Sequence, residues 1–145
     1  TKRDVLSILP FNNSIVKVEV TGKVLKQILE GGVARSGVGE DREPGRFPQV
    51  SGLKFEFDPR KAAGSRVVRV TVGGVPLDEA KTYTVATSDF LVSRSGDGYT
   101  MFKDGKVVSG AANAPKDSDV FEAAIKNSPN ATISPVLEGR IVKIN

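Results

Sequence analysis

Short stretches in which apolar and polar residues alternate recur along the chain, and they constrain its fold more than any other feature. Alternation with a period of two places the apolar side chains on one face of a β-strand. Between these stretches, residues 2–9, 22–30 and 115–127 carry apolar residues at helical spacing. Because strands and helices alternate irregularly, we predict an α+β fold with a mixed, partly antiparallel sheet flanked by helices. The predicted strands are residues 15–20, 50–57, 67–72, 83–87 and 141–144.

The ends of the predicted helices carry residues that are typical of helix boundaries. Thr21 is a favourable N-cap for the second helix, and Gly31 and Gly32 are expected to end it. Asp117 or Ser118 is expected to cap the third helix. The residues predicted to face the core from the first and third helices are Val5, Leu6, Leu9, Val120, Phe121, Ala124 and Ile125.

The composition excludes several classes of catalytic site. With 145 residues the chain is long enough for one domain with a buried core, and we treat residues 1–145 as a single domain. It contains no histidine and no cysteine. These residues are ligands in most zinc sites and are required for Ser-His or Cys-His catalysis. No acidic cluster has the spacing of a magnesium site, so we expect no catalytic machinery in this chain.

The charge distribution favours small anionic ligands over nucleic acids. The net charge is +4, from 21 basic and 17 acidic residues, and the basic residues are interleaved with acidic ones. A mildly positive protein favours ligands such as phosphate esters, whereas nucleic-acid binding requires a concentrated basic patch. No apolar run is long enough to cross a membrane.

Two segments carry candidate binding residues. In the first, the strand at residues 83–87 is followed by Phe90 and the turn Gly96-Asp97-Gly98. Glycines allow a backbone to approach a ligand closely, the Asp97 carboxylate can accept hydrogen bonds from hydroxyls, and the Phe90 ring can stack. Together they suit a nucleoside. The alternative is a hairpin turn with Phe90 in the core.

The second segment lies at the end of a long stretch without periodicity. Residues 33–48 are rich in glycine, arginine and glutamate and are predicted to form an exposed loop that leads to Phe47. Phe47 and Gln49 place a ring and an amide in a Gly/Pro-rich environment. In the following strand, Phe55 and Phe57 share a face and are predicted to belong to the core.

In this order, the two segments resemble the C-terminal domain of the 5′-nucleotidase family, which includes ecto-5′-nucleotidase and bacterial periplasmic UDP-sugar hydrolases. The resemblance spans nearly the whole chain, although no single motif is specific. The further motifs that carry it are Leu9-Pro10-Phe11-Asn12-Asn13, Val20-Thr21-Gly22, Leu77-Asp78, Lys81-Thr82-Tyr83 and Glu138-Gly139-Arg140-Ile141.

The resemblance implies a role for each candidate residue. Phe47 and Phe90 would clamp the nucleobase, Asp97 would hold the ribose hydroxyls, and Gln49 would read the edge of the base. Gly96 and Gly98 would set the turn. The family usually has Gly-Gly-Asp-Gly with its second Phe six residues before the Asp, whereas here Ser95 precedes Gly96 and Phe90 lies seven residues before Asp97. Possible phosphate partners in the long loop are Arg35, Arg42 and Arg46.

The resemblance also implies what this chain would work with. A metallophosphoesterase domain with two divalent metal ions, such as zinc or manganese, would precede it in the same parent chain. The whole hydrolase would act on nucleotide phosphate esters or anhydrides in nucleotide catabolism, at a periplasmic, secreted or cell-surface location. This chain alone would be inactive. The family's Asn-Gly-Gly-x-Ile-Arg segment would lie upstream of Thr1, so we expect the fragment to lack its first elements and to bind nucleotides weakly. We also expect it either to self-associate over the apolar patch left uncovered or to expose that patch in a crystal contact.

Two other readings are compatible with the residues. The chain could be a non-enzymatic module that binds a nucleotide or another ligand, because a shared fold does not fix function. A weaker alternative is an interaction domain without a small ligand.

Overall fold

Residues 1–36, 45–110 and 113–144 are described in the computed structural model, and helices and strands alternate in them as predicted. Part of the predicted long loop, including Arg42, lies outside these residues. The helices are α1 (Lys2–Ile8), α2 (Gly22–Val33), α3 (Asp89–Ser93) and α4 (Asp117–Lys126). The strands are β1 (Ile15–Thr21), β2 (Leu53–Phe57), β3 (Val67–Val72), β4 (Val75–Pro76), β5 (Thr82–Ser88), β6 (Lys106–Ser109) and β7 (Ile141–Lys143).

The strands form two sheets, where the sequence suggested one. An antiparallel sheet has the order β5-β1-β6, and a mixed sheet has the order β4-β3-β2-β7 with β7 parallel to β2. The α+β class and the mixed pairing are therefore confirmed. In β1, alternate residues Val16, Val18 and Val20 are buried, and in β2 the predicted core residues Phe55 and Phe57 are buried.

Helix α2 connects the cores of the two sheets. Its first two turns pack against β1, and its last turn packs against β2 and β3. The predicted N-cap is confirmed, because the Thr21 hydroxyl accepts the N–H of Val24 at 3.3 Å. The apolar residues that make the two sets of contacts are Val24, Leu25, Ile28, Leu29 and Val33.

The predicted end of α2 at Gly31 and Gly32 is wrong, because the helix continues to Val33. A Cβ atom on Gly32 would lie 2.6 Å from Cδ of Pro48 and 2.8 Å from the hydroxyl of Tyr99. Glycine at position 32 therefore allows Pro48 and Tyr99 to approach the helix closely. It does not serve as the left-handed glycine that often ends a helix.

Two buried charges fix the end of α2 to β3. The Glu30 carboxylate accepts the backbone N–H of Arg66 at 2.9 Å and that of Val67 at 2.7 Å. The Arg66 guanidinium donates to the carbonyls of Val33 at 2.7 Å and Ala34 at 2.6 Å. A buried charge without hydrogen bonds is costly, and here each charge is satisfied by backbone groups.

The segment after β5 contains a helix that the sequence did not predict. It contains the five-residue helix α3 and a 3₁₀ turn at Thr100–Asp104. Leu91 and Val92 of α3 pack against the core around β1, and Phe102 is buried there. These apolar contacts stabilise α3, which is too short to be stable on its own, so its sequence alone did not predict it.

The predicted buried faces of α1 and α4 are only partly correct. Val5 is buried, but Leu6, Val120 and Ala124 are exposed. The predicted caps Asp117 and Ser118 are also wrong, because α4 begins after Lys116 and has no side-chain cap. Periodicity identifies residues that share a face, but it does not show whether a neighbour covers that face. No helix in the described ranges is long and apolar enough to cross a bilayer.

Candidate functional site

A cavity of about 430 Å³ lies between the end of β5, α3 and the segment that starts at Gly45. Its volume is within the usual range of small-molecule sites. The cavity brings together four of the predicted binding residues, although they come from two distant parts of the sequence. These four residues are Phe47, Gln49, Phe90 and Asp97.

A larger groove of about 670 Å³ shares Phe47 and Gln49 with this cavity. Phe90 and Asp97 do not line the groove. The smaller cavity is therefore the place where the predicted stacking residues and the predicted hydroxyl acceptor meet, and we treat it as the candidate site.

Phe90 is positioned by α3, which begins directly after β5. The N–H of Asp89 donates to the carbonyl of Ser14 at 2.8 Å, and the Asp89 carboxylate accepts the N–H of Ser14 at 2.9 Å. The Phe90 ring is 36% exposed and lies against Gly96, where a Cβ atom would overlap three ring atoms. Because Gly96 has no side chain, it leaves room for the Phe90 ring beside the cavity.

The two glycines of the turn that carries Asp97 differ in conformation. Gly98 has a positive φ of 78°, whereas Gly96 does not have a positive φ. The left-handed conformations lie instead at Ser95, with φ 50°, and at Asp97, with φ 52°. Such a conformation costs a non-glycine residue about 1–2 kcal/mol. The turn beside the cavity is therefore built partly on a strained backbone, with Ser95 in the left-handed conformation.

Arg46 lies against the same turn. A Cβ atom on Gly98 would lie 2.9 Å from Nη2 of Arg46, so glycine leaves room for the guanidinium. Arg46 lines the cavity, and its buried Nε has no hydrogen-bond partner among the described residues. Of the three arginines considered as phosphate partners, Arg46 is thus at the cavity, whereas Arg35 is exposed and does not line it.

Phe47 is supported from the core side. Its ring packs against the ring of Phe57, with centroids 5.8 Å apart and an angle of 60° between the planes. The hydroxyl of buried Tyr99 donates to the carbonyl of Arg46 at 2.5 Å, and Pro48 packs closely on Gly32 of α2. The backbone on both sides of Phe47 is therefore fixed to elements of the core.

Gln49 is exposed at the edge of the cavity. The residue after it is held in place, because Nη1 of Arg140 donates to the carbonyl of Val50 at 2.6 Å. Arg140 lies directly before β7, so the far end of the chain supports the segment that carries Phe47 and Gln49.

The sequence did not reveal which residues support the site. Tyr99, Gly32 and Arg140 hold the Phe47 segment, and none of them was predicted to do so. The only available signals were the position of Tyr99 directly after the Gly96–Gly98 turn and the position of Arg140 in a family-like motif. Phe11 and Asn13 also line the cavity and were not predicted as site residues.

Within the described ranges, no group of three or more histidine, cysteine, aspartate or glutamate residues could hold a metal ion.

Comparisons with known proteins agree with this arrangement of elements. The sequence model described as "5′-nucleotidase, C-terminal domain" matches residues 1–104. The chain belongs to this family. This 5′-nucleotidase C-terminal domain is similar over its whole length to the crystal structure of a 5′-nucleotidase precursor from Thermus thermophilus, with 38% identity and a TM-score of 0.88.

Curated relatives are similarly close in sequence. A trifunctional nucleotide phosphoesterase of Bacillus subtilis is 33% identical over 99% of this chain, and a snake venom 5′-nucleotidase of Macrovipera lebetinus is 34% identical over 97%. The domain spans only 10% of the first protein, 34% of the second and 28% of the Thermus chain. The family resemblance in the sequence is thus confirmed, for a region that is a fraction of these relatives.

Proposed function

We propose that this domain binds the nucleoside part of a nucleotide in the 430 Å³ cavity. The observation that carries the proposal is that Phe47, Phe90 and Asp97 line one cavity although the two phenylalanines are 43 positions apart in sequence. Two rings suit the flat faces of a base, and a carboxylate suits the vicinal hydroxyls of ribose.

Each residue has a distinct part in the proposed complex. Stacking on Phe47 and Phe90 contributes about 1–3 kcal/mol per base–aromatic contact and tolerates different bases. The Gln49 amide can hydrogen-bond the edge of the base. Asp97 accepts from the 2′- and 3′-hydroxyls, and the Arg46 guanidinium next to Gly98 favours an anionic ligand.

The activity that we propose for the parent protein is hydrolysis of a nucleotide phosphate ester or anhydride. A separate N-terminal metallophosphoesterase domain would hold two divalent metal ions, which polarise the phosphoryl group and generate the attacking hydroxide. The residues of this domain bind and orient the nucleoside and so determine which substrates are held. Names such as "snake venom 5′-nucleotidase" and "5′-nucleotidase precursor" among its relatives support a secreted, periplasmic or cell-surface location.

Calorimetric titration of the 145-residue chain with adenosine and with AMP tests the binding proposal. We expect saturable binding, which Phe90→Ala weakens about tenfold because one stacking contact is lost. Val120→Ala is the matched control, since Val120 is an exposed apolar residue on α4 that does not line the cavity. No binding of either ligand at millimolar concentration, or equal affinity for Phe90→Ala and the parent chain, would contradict the proposal.

The role of Asp97 has its own test. We expect 2′,3′-dideoxyadenosine to bind the parent chain about tenfold more weakly than adenosine, because hydrogen bonds to a charged group are lost. In Asp97→Asn the two ligands should differ much less, whereas in Asp119→Asn, an exposed residue of α4, the full difference should remain. An undiminished difference in Asp97→Asn would show that another group holds the ribose.

In the parent enzyme, Phe90→Ala is expected to raise KM more than it lowers kcat, because stacking stabilises ground state and transition state alike. The separated domain is expected to have no metal-dependent phosphatase activity. Turnover of AMP by the purified chain, surviving a mock-purification control, would contradict the division of labour between the two domains.

A further inference from the structure

Tyr99 connects the core to the turn at Gly96–Gly98, which we call the Asp97 turn. The backbone N–H of Tyr99 donates to the carbonyl of Gly96 at 3.1 Å and so closes this turn. The Tyr99 side chain is only 4% exposed, and its ring packs on that of Phe102 with centroids 6.2 Å apart. Because the ring is fixed in the core, the end of the Asp97 turn is fixed with it.

The hydroxyl of Tyr99 contacts the segment that carries the other candidate wall of the site. It donates to the carbonyl of Arg46, the residue directly before Phe47, at 2.5 Å. It also lies close to α2, where a Cβ atom on Gly32 would come within 2.8 Å of it. A buried hydroxyl between a backbone carbonyl and a helix has little freedom to move. The Arg46 carbonyl therefore has a hydrogen-bond donor at a fixed position.

A second contact joins the same two segments. Arg46 also lies against Gly98, where a Cβ atom would be 2.9 Å from Nη2 of the guanidinium. Because Gly98 directly precedes Tyr99, the Asp97 turn and the residue that closes it meet Arg46 at both its guanidinium and its carbonyl. The Phe47 ring and the Asp97 carboxylate are thus held in one relation to each other, although they are far apart in the sequence.

We propose that the Tyr99 hydroxyl is a positioning group for nucleoside binding, which keeps the Phe47 segment at the distance from the Asp97 turn that one nucleoside requires. This inference rests on the proposed function and adds to it a buried residue that acts through its neighbours. Binding groups that are already ordered lose little conformational entropy when the ligand binds, so more of the contact energy appears as affinity. Without the hydroxyl, stacking on Phe47 should become weaker.

The chain contains two tyrosines, and they provide a matched pair of substitutions. Tyr99→Phe keeps the buried ring and removes only the hydroxyl. We expect it to weaken adenosine binding about fivefold, the equivalent of one hydrogen bond. Tyr83→Phe is the control, because the Tyr83 hydroxyl also bonds to a backbone group, the N–H of Asp78 at 3.0 Å, and Tyr83 does not line the cavity. Its affinity for adenosine should equal that of the unsubstituted chain.

Double-mutant cycles separate positioning from a general loss of stability. Phe47→Ala should weaken adenosine binding by a smaller factor in Tyr99→Phe than in the unsubstituted chain, because part of the stacking is already lost there. Phe90→Ala should weaken it by the same factor in both backgrounds, since α3 and Gly96 support that ring. A tyrosine that only stabilised the fold would give equal factors in both cycles.

Calorimetric titrations well below the melting temperature of each variant measure these affinities without a contribution from unfolded protein. If the unsubstituted chain binds adenosine but Tyr99→Phe binds it equally well, or if both cycles are additive, this inference is wrong and the proposed function stands. If the unsubstituted chain does not bind adenosine, both are wrong.

Discussion

Phe47 and Phe90 form two aromatic walls of the cavity, which we call the Phe47 wall and the Phe90 wall, and they are supported in different ways. The Phe47 wall is continuous with the core, because the Phe47 ring packs on Phe57 and the Tyr99 hydroxyl donates to the carbonyl of Arg46. The Phe90 wall stands on a five-residue helix and on Gly96, beside a turn with left-handed non-glycine residues.

Because of this difference, we expect substitutions behind the two walls to affect stability and ligand affinity differently. A substitution behind Phe47 disturbs buried contacts and should change stability and ligand affinity together. A substitution behind Phe90 disturbs a half-exposed ring on a short element and should change affinity with little effect on global stability. Three of the four predictions below test this contrast, and the fourth concerns stability alone; they run from the largest expected effect to the smallest.

The largest effect is expected behind the Phe47 wall. Phe57→Ala should lower the free energy of unfolding by about 3–5 kcal/mol, because it leaves a cavity in the core and removes the ring on which Phe47 packs. Urea denaturation measures this loss. Phe57→Leu, which keeps much of the apolar volume, should lose less stability and still weaken adenosine binding. Normal affinity in Phe57→Leu would show that Phe47 does not depend on the core.

Two adjacent glycines of α2 give a matched pair. Gly32→Ala should destabilise the domain by about 2 kcal/mol and weaken adenosine binding, because the new methyl group would displace Pro48 and the Tyr99 hydroxyl. The Cβ of Gly31→Ala would meet only the flexible end of Met101, and the gain in helix propensity should offset the adjustment. Equal effects of the two substitutions in urea denaturation would contradict the close-approach role of Gly32.

On the other wall, Gly96→Ala should weaken adenosine binding about tenfold, because a Cβ atom would displace the Phe90 ring. The free energy of unfolding should change by less than about 1 kcal/mol, since the ring is only half-buried. Calorimetry and urea denaturation on the same preparation measure both quantities. A loss of stability as large as that of Phe57→Ala would remove the contrast between the walls.

The smallest expected effect is on the pH dependence of stability, and it comes from Asp58, which lies directly after β2. Hydrogen bonds from the Arg60 side chain hold the pKa of the Asp58 carboxyl at about 2, below its ordinary value of 3.8. Because the pKa is lower in the folded state, the resulting stability is present above about pH 4 and is lost as the pH falls toward 2. Asp58→Asn should therefore flatten the fall in the urea midpoint between pH 4 and 2.

The control for this prediction is Arg60→Gln, which keeps the carboxylate but removes the main cause of its lowered pKa. Arg60→Gln should also reduce the dependence on pH, but less than Asp58→Asn, because the backbone N–H of residue 60 still donates to the Asp58 carboxylate at 3.0 Å. If Arg60→Gln leaves the dependence on pH unchanged, the lowered pKa has another source.

Local patterns predicted most of the elements, because strands and helices impose periods that can be read directly. The buried valines of β1 and the buried rings of Phe55 and Phe57 lie where alternation placed them. The helix end at Gly31 was mispredicted because glycine also serves close packing, and the partners Pro48 and Tyr99 lie far away in sequence. The helix α3 was missed because its stability comes from packing against the β1 core.

The candidate site shows the same limit. The sequence identified Phe47, Gln49, Phe90 and Asp97 as side chains with suitable chemistry, and their order indicated the family, which the comparisons confirm. Their roles in binding stay predictions. The sequence did not identify Phe11, because an exposed ring in a turn has no periodic partner that would mark it.

The sequence alone thus determined the α+β class, the core strands, the family and the absence of histidine and cysteine chemistry. Those properties follow from residue types and from spacings within a few residues. Only the tertiary structure decided that α2 continues past Gly31 and Gly32 to Val33 and that Tyr99 and Arg140 hold the Phe47 segment. It also decided that Phe11 lines the cavity. The physical reason is that these contacts join residues distant in sequence, and their geometry exists only once both sheets are packed on α2.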